Sequence, residues 1–253
     1  MRPLEGHHAI VTGGGSGIGA AIARTLAAQG ARLTLVGRRA APIEALAHAL
    51  HGTAVTADVT DRAQVDAALA HARAANGPVT ILINNAGAAE STPFARIDAA
   101  GWRRMMAINL DAVFHCTQAA LPDLRAASAG RIVTVASTAA LKGYAYTAAY
   151  AAAKHGVLGL TRSLALELAG TSVTVNAVCP GFTDTAIVAE AAANIARISG
   201  RTPDAARAEL ARFNPQGRLI TPEEVAASVL WLCLPDSGSI TGQAIAIAGG
   251  EVM

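Results

Sequence analysis

Residues 7–30 read HHAIVTGGGSGIGAAIARTLAAQG, and the fold is decided there. An apolar run (7–12) leads straight into Thr12-Gly13-Gly14-Gly15-Ser16-Gly17-Ile18-Gly19; Ile18, Ile22 and Leu26 then recur at helical spacing until Gly30 stops the helix. Strand, glycine turn and helix N-terminus in that order form an anion site. Missing Cβ atoms let the backbone approach a pyrophosphate, and free N–H groups of the first helical turn point at it. The spacing is TGxxxGxG, neither GxGxxG nor a P-loop, which would end in Gly-Lys-Ser/Thr. A bland glycine-rich turn would account for two of these glycines, not for five in this setting.

Six further β-rich runs follow, at 31–37, 53–58, 80–85, 131–136, 172–178 and 244–248. Their apolar residues are near-continuous, as parallel strands covered on both faces require. Helices fit between them at 40–50, 61–75, 98–127 with a break near Asn109, 147–169, and 222–234, where Thr221 and Pro222 make a cap. The expected fold is α/β: a doubly wound, Rossmann-type, seven-stranded parallel sheet forming a single domain over 1–253. Residues 183–216 break the alternation with helical but polar character, longer than a usual connection, and read as a substrate lid.

Composition excludes several classes. With 52% hydrophobic and 15% charged residues over 253 positions, the chain buries a large core and is not disordered. A net charge of +2 without a Lys/Arg run or an aromatic-interleaved basic stripe argues against nucleic acid. Cys116, Cys179 and Cys233 are odd in number and far apart, so they read as buried, reduced thiols. No window of 18 uncharged apolar residues exists, and Arg2, Glu5, His7 and His8 stand where a signal peptide needs apolar residues, so no membrane span and a cytoplasmic location are expected. His48 and His51 lack a third ligand nearby, and no metal is expected. No Gly-x-Ser-x-Gly elbow supports a serine hydrolase.

On the glycine turn and four further motifs, the chain resembles the short-chain dehydrogenase/reductase family over essentially its whole length. Asn84-Asn85-Ala86-Gly87 ends the fourth strand; in the family this motif steadies the sheet and borders the adenosine pocket. Asp58 matches the acid that contacts the adenine amino group, with Val59 beside it. The resemblance implies that Pro180-Gly181, with Thr183 and Thr185, passes the nicotinamide carboxamide. It also assigns the turn residues Gly13, Gly15, Ser16, Gly17, Ile18 and Gly19, together with Asn85, Ala86 and Gly87, to the cofactor.

The fourth motif is Tyr150-Ala-Ala-Ala-Lys154, with Ser137 thirteen residues before the tyrosine and Asn109 further upstream. Positions i and i+4 share a helix face, so hydroxyl and ammonium can meet at one site. Tyrosine's ordinary pKa near 10 makes it a poor proton carrier at neutral pH, and an adjacent cation should pull it down. Tyr144 and Tyr146 are rivals without a lysine four residues on, and read as pocket lining. By resemblance, Ser137 and Tyr150 bind the substrate oxygen, Lys154 holds the nicotinamide ribose, and Asn109 sits at a helix kink holding a relay water. His155 faces about 100° away from Lys154 and should be packed.

Cofactor choice turns on the second strand's end. An NAD enzyme carries an acid there, about twenty residues past the glycine turn. Here Gly37 is followed by Arg38 and Arg39. Two arginines at a helix start oppose its dipole, and an anion such as the 2′-phosphate of NADP relieves them. The sequence therefore implies NADP(H), with NAD(H) the alternative. The function expected is hydride transfer between NADP(H) and a carbonyl or secondary alcohol, by resemblance a 3-oxoacyl or 3-hydroxyacyl thioester, in a homotetramer. Ser137, Thr138, Tyr144 and Phe182, with Ser91 and Leu141, should rim a mostly apolar pocket. A non-catalytic NADP sensor would show damage at Ser137, Tyr150 or Lys154, and none is seen. A sugar-nucleotide epimerase, which shares YxxxK, usually needs a larger C-terminal domain.

Overall fold

The computed structural model describes residues 2–253. Its strands are β1 (His8–Thr12), β2 (Arg32–Gly37), β3 (Thr53–Thr56), β4 (Ile81–Asn84), β5 (Gly130–Val135), β6 (Val173–Pro180) and β7 (Ala244–Ile247). They form one sheet in the order β3-β2-β1-β4-β5-β6-β7, every pair parallel. The order reverses between β1 and β4, and in such sheets ligands bind beyond the carboxyl ends of the strands at that crevice. Asn84 pairs with Thr134, and Val135 with Val178. This register brings the ends of β4, β5 and β6, with their motifs, to one rim.

Nine α-helices connect the strands among the described residues: α1 (Gly17–Ala28), α2 (Ala40–Ala49), α3 (Arg62–Asn76), α4 (Ala99–Met106), α5 (Ala112–Ala126), α6 (Ala148–Glu167), α7 (Ala186–Ser199), α8 (Pro203–Ala211) and α9 (Pro222–Cys233). The core lies in two layers. Ala9 and Val11 of β1 pack with Ile22, Leu26 and Val229 on one face, whereas Ile10 packs with Val65, Leu69 and Leu124 on the other. Both faces are dry, which is why the strands carry near-continuous apolar runs instead of alternating.

Helix ends follow local chemistry. Gly30 stops α1 with φ +96°, a left-handed conformation that side chains resist. At α9, the Thr221 hydroxyl accepts from Glu224 N at 3.2 Å and the Glu224 carboxylate accepts from Thr221 N at 2.8 Å, a reciprocal box ahead of Pro222. Arg218 grips the same carboxylate at 2.6 Å and holds Glu224 down to about 2. Thr221→Ala should therefore destabilise the fold by about 1 kcal/mol, read as a lower urea midpoint with unchanged slope; an unchanged midpoint would show the cap to be dispensable.

The segment at 183–216 differs from the polar stretch expected. Helices α7 and α8 bury an apolar cluster of their own, including Val188, Ala192, Ala206 and Leu210, with Leu219. Its polarity faces outward: Arg207 pairs with Asp184 at 2.5 Å, and Arg201 with Glu209. A two-helix unit with a private core reads as polar in sequence because only one stripe of each helix is buried.

Candidate active site

Thr12 closes β1 and ties the glycine turn to the next motif. Its hydroxyl accepts from the backbone N–H of Asn85 and of Ala86, each at 3.0 Å, while the Asn85 amide donates to Thr12 O at 2.9 Å and Gly13 O at 3.2 Å. A Cβ on Gly13 would come within 2.9 Å of that amide, and one on Gly19 would run into the Gly13 carbonyl. The Ser16 side chain makes no cap on α1, and no acid stands in the first turn. That turn fits a pyrophosphate: its backbone is open and its helix dipole is uncompensated. Thr185 lies over Gly17, where a Cβ would meet its methyl at 3.1 Å, so the segment after β6 crosses the turn.

Gly37, Arg38 and Arg39 line a cleft of about 370 Å³ together with Gly13, Gly15 and Ser16. Both arginines are exposed. Beyond β3, Asp58 accepts from Thr60 N at 2.9 Å and from its hydroxyl at 2.8 Å. Those bonds hold its carboxyl below the usual range, and the Arg38 charge contributes less.

Ser137 follows β5; its Oγ accepts from Ala139 N at 3.1 Å, and its own hydroxyl is turned toward Tyr150. Tyr150 and Lys154 stand one turn apart on α6. Lys154 is buried; its Nζ donates to Val135 O at 3.0 Å and lies 5.8 Å from the Tyr150 ring centroid. Burial lowers Lys154 to about 8. Tyr150 departs from the sequence expectation. Its pKa is raised, not lowered, because burial outweighs the opposing hydrogen bond from Ser137. The ammonium, engaged with Val135 O, is not what sets it.

Asn109 sits in a π-turn, Ala107–Asp111, between α4 and α5, at the expected break. Its amide donates to Met105 O, four residues back, at 3.1 Å and to Ala88 O at 2.9 Å, while Oδ1 accepts from Ala88 N at 3.3 Å. The side chain takes the carbonyl that its own N–H would take in an α-helix, which accounts for the wide turn. A Cβ on Gly87 would lie 2.9 Å from Asn109 Oδ1 and 3.6 Å from Lys154 Nζ, so the three positions converge.

On the far side, Tyr144 shares a 2.6 Å hydrogen bond with Thr138 and packs edge-on against Phe182 and Phe213, with centroids 6.0 and 5.8 Å away. Tyr146 instead lines a neighbouring cleft with Thr92, Arg96 and Arg104. His155 is exposed, not packed, its ring against Ala151 O at 2.9 Å. The three cysteines are buried, and burial pushes Cys179 up to about 11 and the other two to about 12, which makes them inert. Phe213 and Glu251 were missed by sequence reasoning, and Thr12 was read only as the first residue of the glycine motif; an acid after the Gly249-Gly250 pair was the one available signal for Glu251.

The family model described as short chain dehydrogenase matches residues 7–196. The chain is 39% identical over 249 residues to the granaticin polyketide synthase putative ketoacyl reductase 1 of Streptomyces violaceoruber, covering 96% of this chain and 92% of that protein. It is 38% identical to D-beta-hydroxybutyrate dehydrogenase of Cupriavidus necator, covering 98% and 99%. A crystal structure of an actinorhodin polyketide ketoreductase variant with NADPH superposes with TM-score 0.93 at 34% identity, over 97% of each chain. No helix among the described residues is long and apolar enough to cross a membrane. With the glycine turn, the sheet order and the Ser-Tyr-Lys cluster in place, the chain belongs to the short-chain dehydrogenase family of oxidoreductases, which bind nicotinamide cofactors.

Proposed function

We propose that this protein is an NADP(H)-dependent carbonyl reductase that acts on 3-oxoacyl thioesters or related ketones. The observation that carries the reading is the convergence of Ser137, Tyr150 and Lys154 at the rim where β5 ends. The bound nicotinamide supplies the hydride. Ser137 and Tyr150 donate hydrogen bonds to the substrate oxygen where alkoxide charge develops. Tyr150 then gives up its proton, and its raised pKa keeps that proton in place at neutral pH until charge develops. Lys154 holds the nicotinamide ribose, and Asn109 Oδ1, with an accepting site left over, holds a relay water beside it.

The cofactor choice is supported by Arg38 and Arg39, exposed at the mouth of the cleft, and by the NADPH in the related ketoreductase. Asp58 and Val59 border the adenine, and Pro180, Gly181, Thr183 and Thr185 border the nicotinamide. Thr138, Tyr144 and Phe182 form the substrate wall. The unit at 183–216 acts as a lid; its arginines 201 and 207 are already paired, so Arg197 and Arg212 are its remaining contacts for thioester phosphates. Buried, unpaired thiols suit the cytoplasm. The test is a screen of NADPH oxidation against acetoacetyl thioesters, simple ketones and cyclic ketones; activity confined to NADH would return the preference to NAD.

We also propose a homotetramer. Phe114 on α5 is 45% exposed, Leu166 on α6 80%, and Trp231 on α9 44%. Edge strand β7 pairs only with β6. Two isologous contacts over these faces generate D2 symmetry. Light scattering should give four times the 25.5 kDa chain mass at micromolar concentration, and the mass of a single chain would reject this.

A further inference from the structure

Glu251 is a buried acid that the proposed reaction does not use. Its side chain is 2% exposed. One oxygen, Oε1, accepts from the Tyr144 hydroxyl and from Lys142 Nζ at 3.0 Å. The other, Oε2, has no hydrogen-bond partner and lies against Gly181, where a Cβ would come within 2.9 Å. The segment that carries it is fixed: Gly249 has φ +60°, a Cβ there would collide with the Asn214 side chain, and Gly250 lies beside Pro215. Burying a carboxylate is costly unless something is gained by it.

What is gained follows from which atoms carry protons. A carboxylate paired with an ammonium only accepts, so the Tyr144 proton must lie toward Glu251. In the 2.6 Å contact between Thr138 Oγ1 and the Tyr144 hydroxyl, one proton remains, that of Thr138, and it must point at Tyr144. Four hydroxyls stand together at this rim. Thr138 adjoins Ser137 in sequence, and Tyr144 lies just before α6, whose first turn carries Tyr150. If all four could donate, a ketone oxygen would have more than one place to bind.

We propose that Glu251 is a positioning residue that determines specificity: by drawing the Tyr144 and Thr138 protons toward itself, it leaves Ser137 and Tyr150 as the hydroxyls free to donate, so that a ketone binds in one orientation. This rests on the roles given to Ser137 and Tyr150 above. The wall formed by Tyr144 and Thr138 offers lone pairs and repels a carbonyl oxygen. Hydride then reaches one face of the substrate.

The test is the enantiomeric ratio of the alcohol made from a prochiral ketone with NADPH, measured with kcat and KM separately. Glu251→Gln brings in an amide that can donate to Tyr144 and turn its proton back toward the pocket. The ratio should fall about tenfold, the discrimination of one hydrogen bond, with KM rising more than kcat falls. Adding Tyr144→Phe to Glu251→Gln removes the misdirected proton and should restore the ratio to that of Tyr144→Phe alone. A merely structural Glu251 gives no such rescue. An unchanged ratio in Glu251→Gln, or a double variant no better than Glu251→Gln, overturns the proposal. Should circular dichroism show Glu251→Gln unfolded, Glu251→Leu with and without Tyr144→Phe decides by the same comparison. A wild type inert toward every carbonyl would sink the reductase reading itself, a result distinct from an active enzyme whose selectivity ignores Glu251.

Discussion

Replacing Tyr150 by phenylalanine should lower kcat roughly 10²–10⁴-fold while the dissociation constant for NADPH stays nearly constant. The ring stays in its half-buried slot on α6, so packing and the cleft are preserved. What disappears is the proton. That range corresponds to roughly 3–5 kcal/mol of transition-state stabilisation, more than loss of a neutral hydrogen bond alone would remove. Lys154→Ala should differ in kind, because the same ammonium that neighbours Tyr150 is assigned to the ribose: both cofactor affinity and rate should suffer. Steady-state kinetics and fluorescence titration of NADPH separate the two patterns. If Tyr150→Phe kept more than about a tenth of wild-type kcat, the proton-donor assignment would be wrong.

Arg38→Ala should weaken NADPH by about 10- to 100-fold and leave NADH almost untouched. A charge-assisted bond to a 2′-phosphate is worth ~1.5–3 kcal/mol, and NADH has no phosphate to lose. Nothing in the fold should follow the loss, since Arg38 is exposed. Gly37→Asp is the complementary change: a carboxylate accepts from ribose hydroxyls but meets the phosphate as a like charge. A Cβ at Gly37 would lie 3.2 Å from Ile43 Cγ2, so that methyl must give by a few tenths of an ångström. The substitution should therefore improve NADH and repel NADPH. Equal losses for both cofactors in Arg38→Ala would identify a structural arginine.

Most of the architecture was legible because the signals were local. The β1–glycine–α1 unit is specified within two dozen residues, and all seven strands lie within two residues of where their apolar runs put them. The break at Asn109 was visible too, although its cause, a side chain displacing a backbone bond to Met105 O, was not. What stayed hidden depends on contacts between distant parts of the chain. Glu251 meets Tyr144 across 107 positions, and no periodicity reports that an acid after two glycines will be buried. The private core of α7 and α8 was hidden by charges on their outer faces. The Tyr150 pKa was misjudged for a related reason: spacing shows that Lys154 is near, but the depth of burial, which dominates, is a property of the assembled fold.

The central claim is hydride transfer from NADPH to a carbonyl carbon at the Ser137–Tyr150–Lys154 cluster. NADPH carrying deuterium at both C4 positions, mixed with the protein and an acetoacetyl thioester, tests it directly by mass spectrometry of the product. The account predicts one deuterium on the carbinol carbon with the wild type and almost none over the same time with Tyr150→Phe. An alcohol that forms without the label, or label transferred equally well by Tyr150→Phe, would contradict it.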